Sequence, residues 1–410
     1  GLVVIDEEHE NTFKQDTVPR YHARDVALER ARIENAVVVL SSATPSLESF
    51  HVSKERLVLS RRVAGGKLPP AEIVDMREEK AWAKRPVLFS RKLVTVVKQA
   101  LAAKNQVMLF LNRRGFSTVV RCPRCGHVLR CVNCEISMTY HKAASRAVCH
   151  YCGSETDPPS ACPECGFAGV KYMGVGTEKV AAAAEKVWDR AVVRRMDSDT
   201  MKKRTALGEL LSAFRAGEVD ILVGTQMIAK GHDFPNVTVV GIVDADTILT
   251  FPDFRAAERT FQLACQVAGR AGRSEKGGHV VIQTDNPEHY AIRYAAVYDF
   301  DGFAHEELAA RKDLGYPPFG RLARLLCSGE DEERVSAAAV EAAARARDCA
   351  DVQVLGPAPA PIAKVKGHWR WHVLLKSPDA GAIGRAVRSV GEKPVRGTRM
   401  IVDVDPMSLL

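Results

Sequence analysis

The chain has 410 residues, 58 Lys plus Arg against 50 Asp plus Glu, a formal net charge of +8 and an apolar fraction of 46%. That length suits about three domains with ordinary cores; no apolar run nears the roughly 20 residues that cross a bilayer and no secretory leader opens the chain, so membrane and secreted classes are set aside and the cytoplasm is the expected compartment. The modest positive charge fits a solvated basic surface as well as a nucleic-acid partner and decides neither.

The chain opens at Gly1 on Leu2-Val3-Val4-Ile5, a buried-strand pattern with no initiator Met, and reads as truncated at its start. A second β-branched run, Val37–Leu40, follows a helix-like segment over Ala23–Ile33, and strands alternating with helices predict a parallel α/β sheet. Asp6-Glu7-Glu8-His9 leaves the first strand, so two carboxylates project from a sheet edge. The first can hold Mg2+ and the second can polarise water; a plain acidic loop is the other reading of these four residues alone. Periodicity is lost after Ser60 through Gly65-Gly66 and Pro69-Pro70, which predicts a first lobe over residues 1–62 and a linker over 63–86.

A second lobe is predicted over residues 87–120 and 167–302. Leu93, Val96, Val97 and Leu101 form a helix stripe, Gln106–Leu111 a strand, and Ile221–Val223, Val237–Val243 and His279–Gln283 further strands with polar turns at their carboxyl ends, where open α/β sheets bind ligands. Residues 121–166 interrupt this lobe with Cys122/Cys125, Cys131/Cys134, Cys149/Cys152 and Cys162/Cys165. Four CxxC pairs predict two Zn(Cys)4 sites in preference to disulfides. Spacing leaves open whether the pairs join in sequence or nest. His127, His141 and His150 stand by as alternative ligands, and Cys265, Cys327 and Cys349 read as buried apolar residues.

Gly224-Thr225-Gln226 and Lys230-Gly231-His232-Asp233 offer hydroxyl, amide and charged groups at a strand end. Gln266-Val-Ala-Gly-Arg270-Ala-Gly-Arg273 places two guanidinium groups three residues apart on one predicted helix face, a fork suited to a γ-phosphate. Gly174-Val-Gly-Thr-Glu-Lys179 has the wrong spacing for a phosphate loop and reads as the cap of a helix beginning near Glu178. Residues 303–410 are predicted to form a small α+β domain of split βαβ type, with a helix over Glu333–Ala346 and strands near Leu322–Cys327, His372–Leu375 and Met400–Val404. Within it Lys364-Val-Lys366-Gly-His-Trp369-Arg370-Trp371 interleaves cations with aromatics, as single-strand binders do. DNA contact by Lys364, Lys366 and Arg370 is expected, with one indole in the core.

DEEH, Ser42-Ala43-Thr44, GTQMIAKGHDFP and QVAGRAGR, in this order, resemble the motifs of superfamily-2 helicases. Together with Tyr21-His-Ala-Arg24-Asp25, Phe110-Leu-Asn-Arg-Arg-Gly115, Gly174-Val-Gly-Thr-Glu178, Val402-Asp-Val-Asp405-Pro and the cysteine insertion, all 410 residues resemble the PriA family of primosomal replication-restart helicases. The resemblance implies an α/β fold of RecA-like helicase lobes, the first truncated, with an inserted module of two four-cysteine zinc sites and a small C-terminal α+β domain that meets DNA or partners. It implies two Zn2+ and ATP with Mg2+ as cofactors. Asp6 would hold Mg2+, Glu7 would activate water, Gln266 would sense the nucleotide, and Arg270 and Arg273 would engage the γ-phosphate. Ser42 and Thr44 would link hydrolysis to lobe movement, Thr225, Lys230 and Asp233 would couple strand to nucleotide, and a loop with Phe13, Tyr21 and His22 would contact DNA.

The resemblance also implies nested zinc pairing: Cys122, Cys125, Cys162 and Cys165 on one ion; Cys131, Cys134, Cys149 and Cys152 on the other. It implies 3′ to 5′ translocation on forked and single-stranded DNA at stalled forks. Primosome proteins and single-strand-binding protein would be partners in reloading the replicative helicase, with no membrane involved. The zinc module would anchor the second lobe, guide a displaced strand or meet partners. One departure bears on activity: the 410 residues contain no GxxxxGK(S/T) loop and no counterpart of the family's N-terminal DNA-binding domains. The fragment alone is therefore expected to hydrolyse ATP poorly or not at all, and residues 1–60 to be unstable with two strands exposed. A zinc-bearing DNA and primosome scaffold without turnover is the non-enzymatic alternative.

Overall fold

A computed structural model describes residues 1–53, 55–59, 68–85, 87–111, 120–122, 124–134, 136–141, 145–168, 171–172, 176–197, 204–229, 234–272, 277–391 and 396–409. Strands β1 (Leu2–Asp6) and β2 (Val37–Ser41) pair in parallel, with helix α1 (Ala23–Glu34) between them. The His22 ring caps α1 at its start, and Asn35 in the left-handed conformation ends it. Leu2, Val4, Val37 and Val39 lie exposed on this small sheet, since two strands cannot cover both faces. The piece is nonetheless rooted elsewhere: helix α2 (Leu47–Val52), capped by Ser46, buries Leu47 fully in the core of the next unit. That burial contributes about 2 kcal/mol.

The next unit comprises β3 (Ala71–Asp75), α3 (Met76–Ala83), α4 (Arg91–Ala102) and β4 (Gln106–Leu111). The cysteine module follows with β5 (Val120–Arg121), β6 (Thr139–His141), β7 (Arg146–Val148), β8 (Glu155–Thr156) and β9 (Lys171–Tyr172). The unit then resumes with α5 (Thr177–Val187), β10 (Val193–Met196), α6 (Arg204–Arg215), β11 (Ile221–Gly224), α7 (Gln226–Ala229) and β12 (Val237–Asp244). It ends with α8 (Asp246–Leu249), α9 (Ala256–Ala268), β13 (His279–Thr284), α10 (Tyr290–Ala296) and α11 (Phe300–Leu314).

Its six strands run in the order β10-β11-β4-β12-β13-β3, all parallel. Every residue of the central strand β4 is buried: Val107, Leu109 and Leu111 pack toward α4 and α5, and Met108 and Phe110 toward α9 and α11. A strand covered on both faces reads as one apolar run, so β4 was visible in the sequence. Two expected boundaries are corrected. The linker over 63–86 contains β3 and α3, because Ala71–Asp75, which reads as loop behind Pro69-Pro70, gains its hydrogen bonds from β13 at the sheet edge. The last domain does not start at residue 303, because Phe303 and Ala304 of α11 are fully buried in the core under the parallel sheet.

The C-terminal domain is β14 (Arg321–Gly329), α12 (Glu332–Arg347), β15 (Gln353–Val365), β16 (His368–Ser377), α13 (Ala380–Val390) and β17 (Arg399–Val404). The antiparallel sheet runs β15-β16-β14-β17, the order of a βαββαβ split unit, with both helices on one face. Strand β15 is not evident in the sequence because Pro357, Pro359 and Pro361 argue against a strand. It is an edge strand whose register breaks between Leu355 and Ala358 and again between Pro359 and Lys364, which is where proline is tolerated. Among the described residues no helix is long and apolar enough to cross a membrane.

Candidate metal centres and nucleotide site

Three of the four cysteine pairs are each presented by a tight turn that closes on a glycine. Gly126 N donates to Cys122 O at 3.0 Å, Gly153 N to Cys149 O at 2.9 Å and Gly166 N to Cys162 O at 2.9 Å. These glycines sit at φ of 78°, 77° and 67°, a region that side chains with a Cβ rarely enter. The turns gather Cys122, Cys125, Cys162 and Cys165 into an outer cluster and Cys131, Cys134, Cys149 and Cys152 into an inner one, all four sulfurs of each lying within 4.8 Å of one another. Cys122 and Cys165 Sγ are 3.7 Å apart, Cys125 and Cys162 3.5 Å, Cys131 and Cys152 3.6 Å. A tetrahedron with Zn–S bonds of about 2.3 Å has edges of about 3.8 Å, so both thiol sets fit zinc, and four sulfurs per ion leave no open position for catalysis. The pairing is nested. Strands β5 and β9 close the base of the module.

The histidines have other tasks. His127 Nδ1 lies 3.7 Å from Glu164, and His150 Nδ1 is 2.6 Å from Pro359 O in the C-terminal domain. The side chain of His141 lies outside the described residues.

The inner centre is part of a core shared by three units: Cys131, Cys134, Cys149, Ile136, Met138 and Tyr151 pack with Tyr316, Leu322, Leu374 and Leu409, and Phe254 borders them. Tyr151 is fully buried and its hydroxyl accepts Phe254 N at 3.1 Å, while Tyr316 stacks on Phe254 with ring centroids 4.7 Å apart. A Cβ on Gly153 would lie 3.0 Å from Pro357 O, and one on Gly126 2.7 Å from the Cβ of Asp285. Asp285 in turn holds Lys80 of α3 at 2.6 Å. The inner knuckle thus docks on the C-terminal domain and the outer one on the parallel-sheet unit. The segment after β17 completes the clamp, with Arg255 Nη1 donating to Pro406 O at 3.2 Å. None of these partners is singled out by the sequence; the only available signal is an aromatic, Tyr151, set between two ligands.

Among the described residues, His22 and His372 are buried and His289 half-buried, all three as neutral rings. Burial lowers His22 and His289 to about 4 and His372 to about 3. His22 and His289 each accept a backbone N–H at a helix start, which needs an unprotonated Nδ1. Because the unfolded chain takes up these protons near pH 6.5 and the folded one does not, stability is expected to fall as pH drops below 6.5. For His289 and His372 the slope is about 1.4 kcal/mol per pH unit each, ending near their folded values. Imidazole NMR at pH 5.5 should find all three rings neutral; a protonated His372 would refute the assignment.

At the carboxyl end of β1, Asp6 is exposed and its Oδ1 accepts Ser41 Oγ at 3.0 Å and Glu7 N at 3.1 Å. Glu7 has φ of 51°, and its carboxylate lies 3.5 Å from His9. His9 Nδ1 is 2.7 Å from Ser42 Oγ. Glu8, given no task from sequence, is 2% exposed and accepts Ser46 N at 2.6 Å, Ser46 Oγ at 3.0 Å and Ser49 Oγ at 2.7 Å, with Arg24 at 3.5 Å. From the other side, α9 reaches the same segment. Gln262 donates to Thr44 O at 3.3 Å, Glu258 accepts Leu47 N at 2.9 Å, and Arg255 pairs with Glu48 at 2.7 Å. Residues 42–49 are therefore gripped between Glu8 and His9 on one side and helix α9 on the other.

Gln266, one turn beyond Gln262 on α9, is half-buried. The expected helical fork is corrected: α9 stops at Ala268 with Gly269 as its cap, so Arg270 lies in the turn beyond the helix. Gly272 at φ of 67° packs against Gly278 there, a backbone approach that a continued helix would not allow. Arg273, Lys230 and Asp233 lie outside the described residues. Thr225 directly follows β11, and its carbonyl oxygen accepts Ile228 N at 3.0 Å. In the first piece Phe13 is half-buried and Tyr21 is 42% exposed.

In the C-terminal domain both Trp369 and Trp371 pack on the helix-covered face, where one indole was expected. They are two residues apart on β16, so the strand period sends both the same way. Lys364 Nζ stands 4.4 Å over the Trp369 ring, and Lys366 sits exposed in the β15–β16 turn at φ of 49°. Arg370 points to the opposite face, half-buried, and donates to Ile362 O at 3.4 Å.

Comparison with known proteins gives a consistent picture. Residues 312–407 match the primosomal protein N C-terminal domain, residues 131–156 the PriA DNA helicase Cys-rich region domain, and residues 176–275 the helicase conserved C-terminal domain. The chain is 43% identical over 414 residues to the replication restart protein PriA of Bacillus subtilis, covering 99% of this chain and 51% of that protein. Its counterparts in Synechocystis and Treponema pallidum are each 41% identical, covering 100% of this chain and 51% and 63% of theirs. The chain thus spans about half the length of the first two of these relatives.

Proposed function

We propose, for a chain that belongs to the PriA family, that these 410 residues form the C-terminal part of an ATP-dependent DNA helicase of replication restart. In this reading it moves 3′ to 5′ on forked and single-stranded DNA at stalled forks in the cytoplasm. There it meets primosome proteins and single-strand-binding protein so that the replicative helicase is reloaded. The observation that carries the reading is the grip on residues 42–49, joining the acidic end of β1 to the helix that leads to Gln266 and Arg270. A motor needs such a joint, because charge lost at the γ-phosphate must move one lobe against the other.

Asp6 would hold Mg2+, and Glu7 would orient and deprotonate water. Gln266, Arg270 and Arg273 would read and neutralise the γ-phosphate, while Asp233, Thr225 and Lys230 would tie nucleotide to strand. ATP with Mg2+ would supply the driving reaction. Phe13 and Tyr21 would stack on bases, and Lys364, Lys366 and Arg370 would meet phosphates. The two zinc ions would hold the module that docks the C-terminal domain. The proposed divisions are 1–62 for the first lobe, β3 through β4 with α5 through α11 for the second, 121–166 for zinc, and the domain that begins with β14 for DNA and partners.

These residues supply no lysine-bearing phosphate loop, so the chain alone is expected to show no DNA-stimulated ATP hydrolysis. Joined to a segment that carries such a loop, it should hydrolyse ATP and unwind a forked duplex, and Arg270→Ala should lower kcat by about a hundredfold or more. Robust ATPase by the 410 residues alone, or full activity of the Arg270 variant, would refute the assignment. A second reading is a zinc-bearing scaffold without turnover, which two four-cysteine clusters packed against the C-terminal domain would serve. DNA binding with no ATPase in the joined protein would select it.

A further inference from the structure

The loop between β1 and α1 carries Phe13 and Tyr21, with Lys14 beside Phe13. The loop closes on itself: Lys14 bridges His22, Gln15 N donates to Tyr21 O at 2.9 Å, and the Gln15 amide donates to Pro19 O at 3.0 Å. The Lys14 side chain leaves this loop and enters the C-terminal domain. Its ammonium donates to Val404 O at 2.6 Å and lies 3.1 Å from Asp403 Oδ1, with the two side chains only 8% and 13% exposed. Asp403 also faces Arg324 of β14 at 4.0 Å, and the charge of Arg324 in turn bears on Arg370 of β16. At the other end of the loop His22 caps α1, and Arg24 beside it donates to Ser46 at 3.0 Å and Ser49 at 2.9 Å, the two residues that hold Glu8.

An exposed lysine meeting DNA phosphate would gain nothing from burial, and an ammonium withdrawn from water is destabilising unless well paired. Here it is paired with a residue near the far end of the chain, on the edge strand of another domain. We propose that Lys14 is a positioning residue: its ion pair with Asp403 and its hydrogen bond to Val404 O let the C-terminal domain set the loop in the shape in which Phe13 and Tyr21 receive an unpaired DNA strand. This rests on the DNA reading of those two rings.

The zinc-loaded 410-residue chain is titrated with a fluorescein-labelled oligothymidylate, and hydrogen exchange is followed at residues 11–22. Lys14→Met and Asp403→Asn should each speed exchange of the loop about tenfold, and each should weaken oligonucleotide binding by roughly five- to tenfold, the scale of one lost stacking contact. The double variant should be no weaker than either single one, because the two residues act through one bond. Asp403→Asn is the decisive arm. It removes a negative charge, so electrostatics alone would leave binding equal or tighter, and that result would overturn the proposal, as would unchanged loop exchange in both variants. Two zinc ions per chain in Asp403→Asn would show that it folds. No binding by the unsubstituted chain would overturn the DNA reading together with the positioning role, and exchange would then report on the tether by itself.

Discussion

Cys149→Ser should lower zinc from two ions per chain to one and loosen the C-terminal domain, whereas Cys165→Ser should remove one zinc and leave that domain docked. The difference follows from what surrounds each centre. Cys149 has no exposed surface and lies in the core that includes Tyr316, Leu322 and Leu374, whereas Cys165 is partly exposed in the outer cluster. Structural zinc contributes about 10–16 kcal/mol in small zinc domains. Losing it from the inner knuckle also withdraws Tyr151 from Phe254 and Gly153 from Pro357. Metal content measures the first part, and hydrogen exchange at Leu322 and Leu374 the second. Equal exchange at those amides in both variants would show that the inner centre does not hold the domain.

Arg311→Met is expected to cost about 3–5 kcal/mol, because it leaves buried carboxylates without their cation. Arg311 is 2% exposed and reaches Glu258 at 2.7 Å, Glu307 at 2.8 Å and Glu48 at 3.7 Å. Burial works to raise Glu48, but Arg255 and Arg311 outweigh it and hold the carboxyl at about 2; for Glu258 burial wins and its value rises. The Glu48 contribution is therefore present above the ordinary carboxylate range and lost as pH falls through about 2. The cluster joins α2, α9 and α11, so the variant should free α2 as well as lower the urea midpoint. Hydrogen exchange at Leu47, whose amide is held by Glu258, measures that release. Adding Glu258→Gln should recover part of the loss by removing one orphaned charge. A urea midpoint unchanged in Arg311→Met would mean that the charges are satisfied by water.

Features written into neighbouring residues were legible. Four CxxC pairs announced two metal centres because ligand spacing is local, and β4, β11, β12 and β13 showed as apolar runs because both their faces are covered. Helix α12 declared itself by its alanines. The motif residues Asp6, Gln266 and Arg270 stood out by order and type, whereas Glu8 and Lys14 did not. A buried glutamate and a surface-seeking lysine look the same in a sequence until their partners, Ser46 and Asp403, are brought up to them.

By itself, then, the sequence determined the buried strands of the parallel sheet, the alanine-rich helix and the eight thiols of the cysteine module, since these depend on spacing within a few residues. Tertiary structure decided that β3 and β15 are strands, that α9 ends before Arg270, which cysteines share an ion, and how the module meets the C-terminal domain. The reason is physical. An edge strand takes its hydrogen bonds, and a buried charge its counter-ion, from residues distant in the chain, and one-dimensional spacing carries no record of which distant surface will arrive.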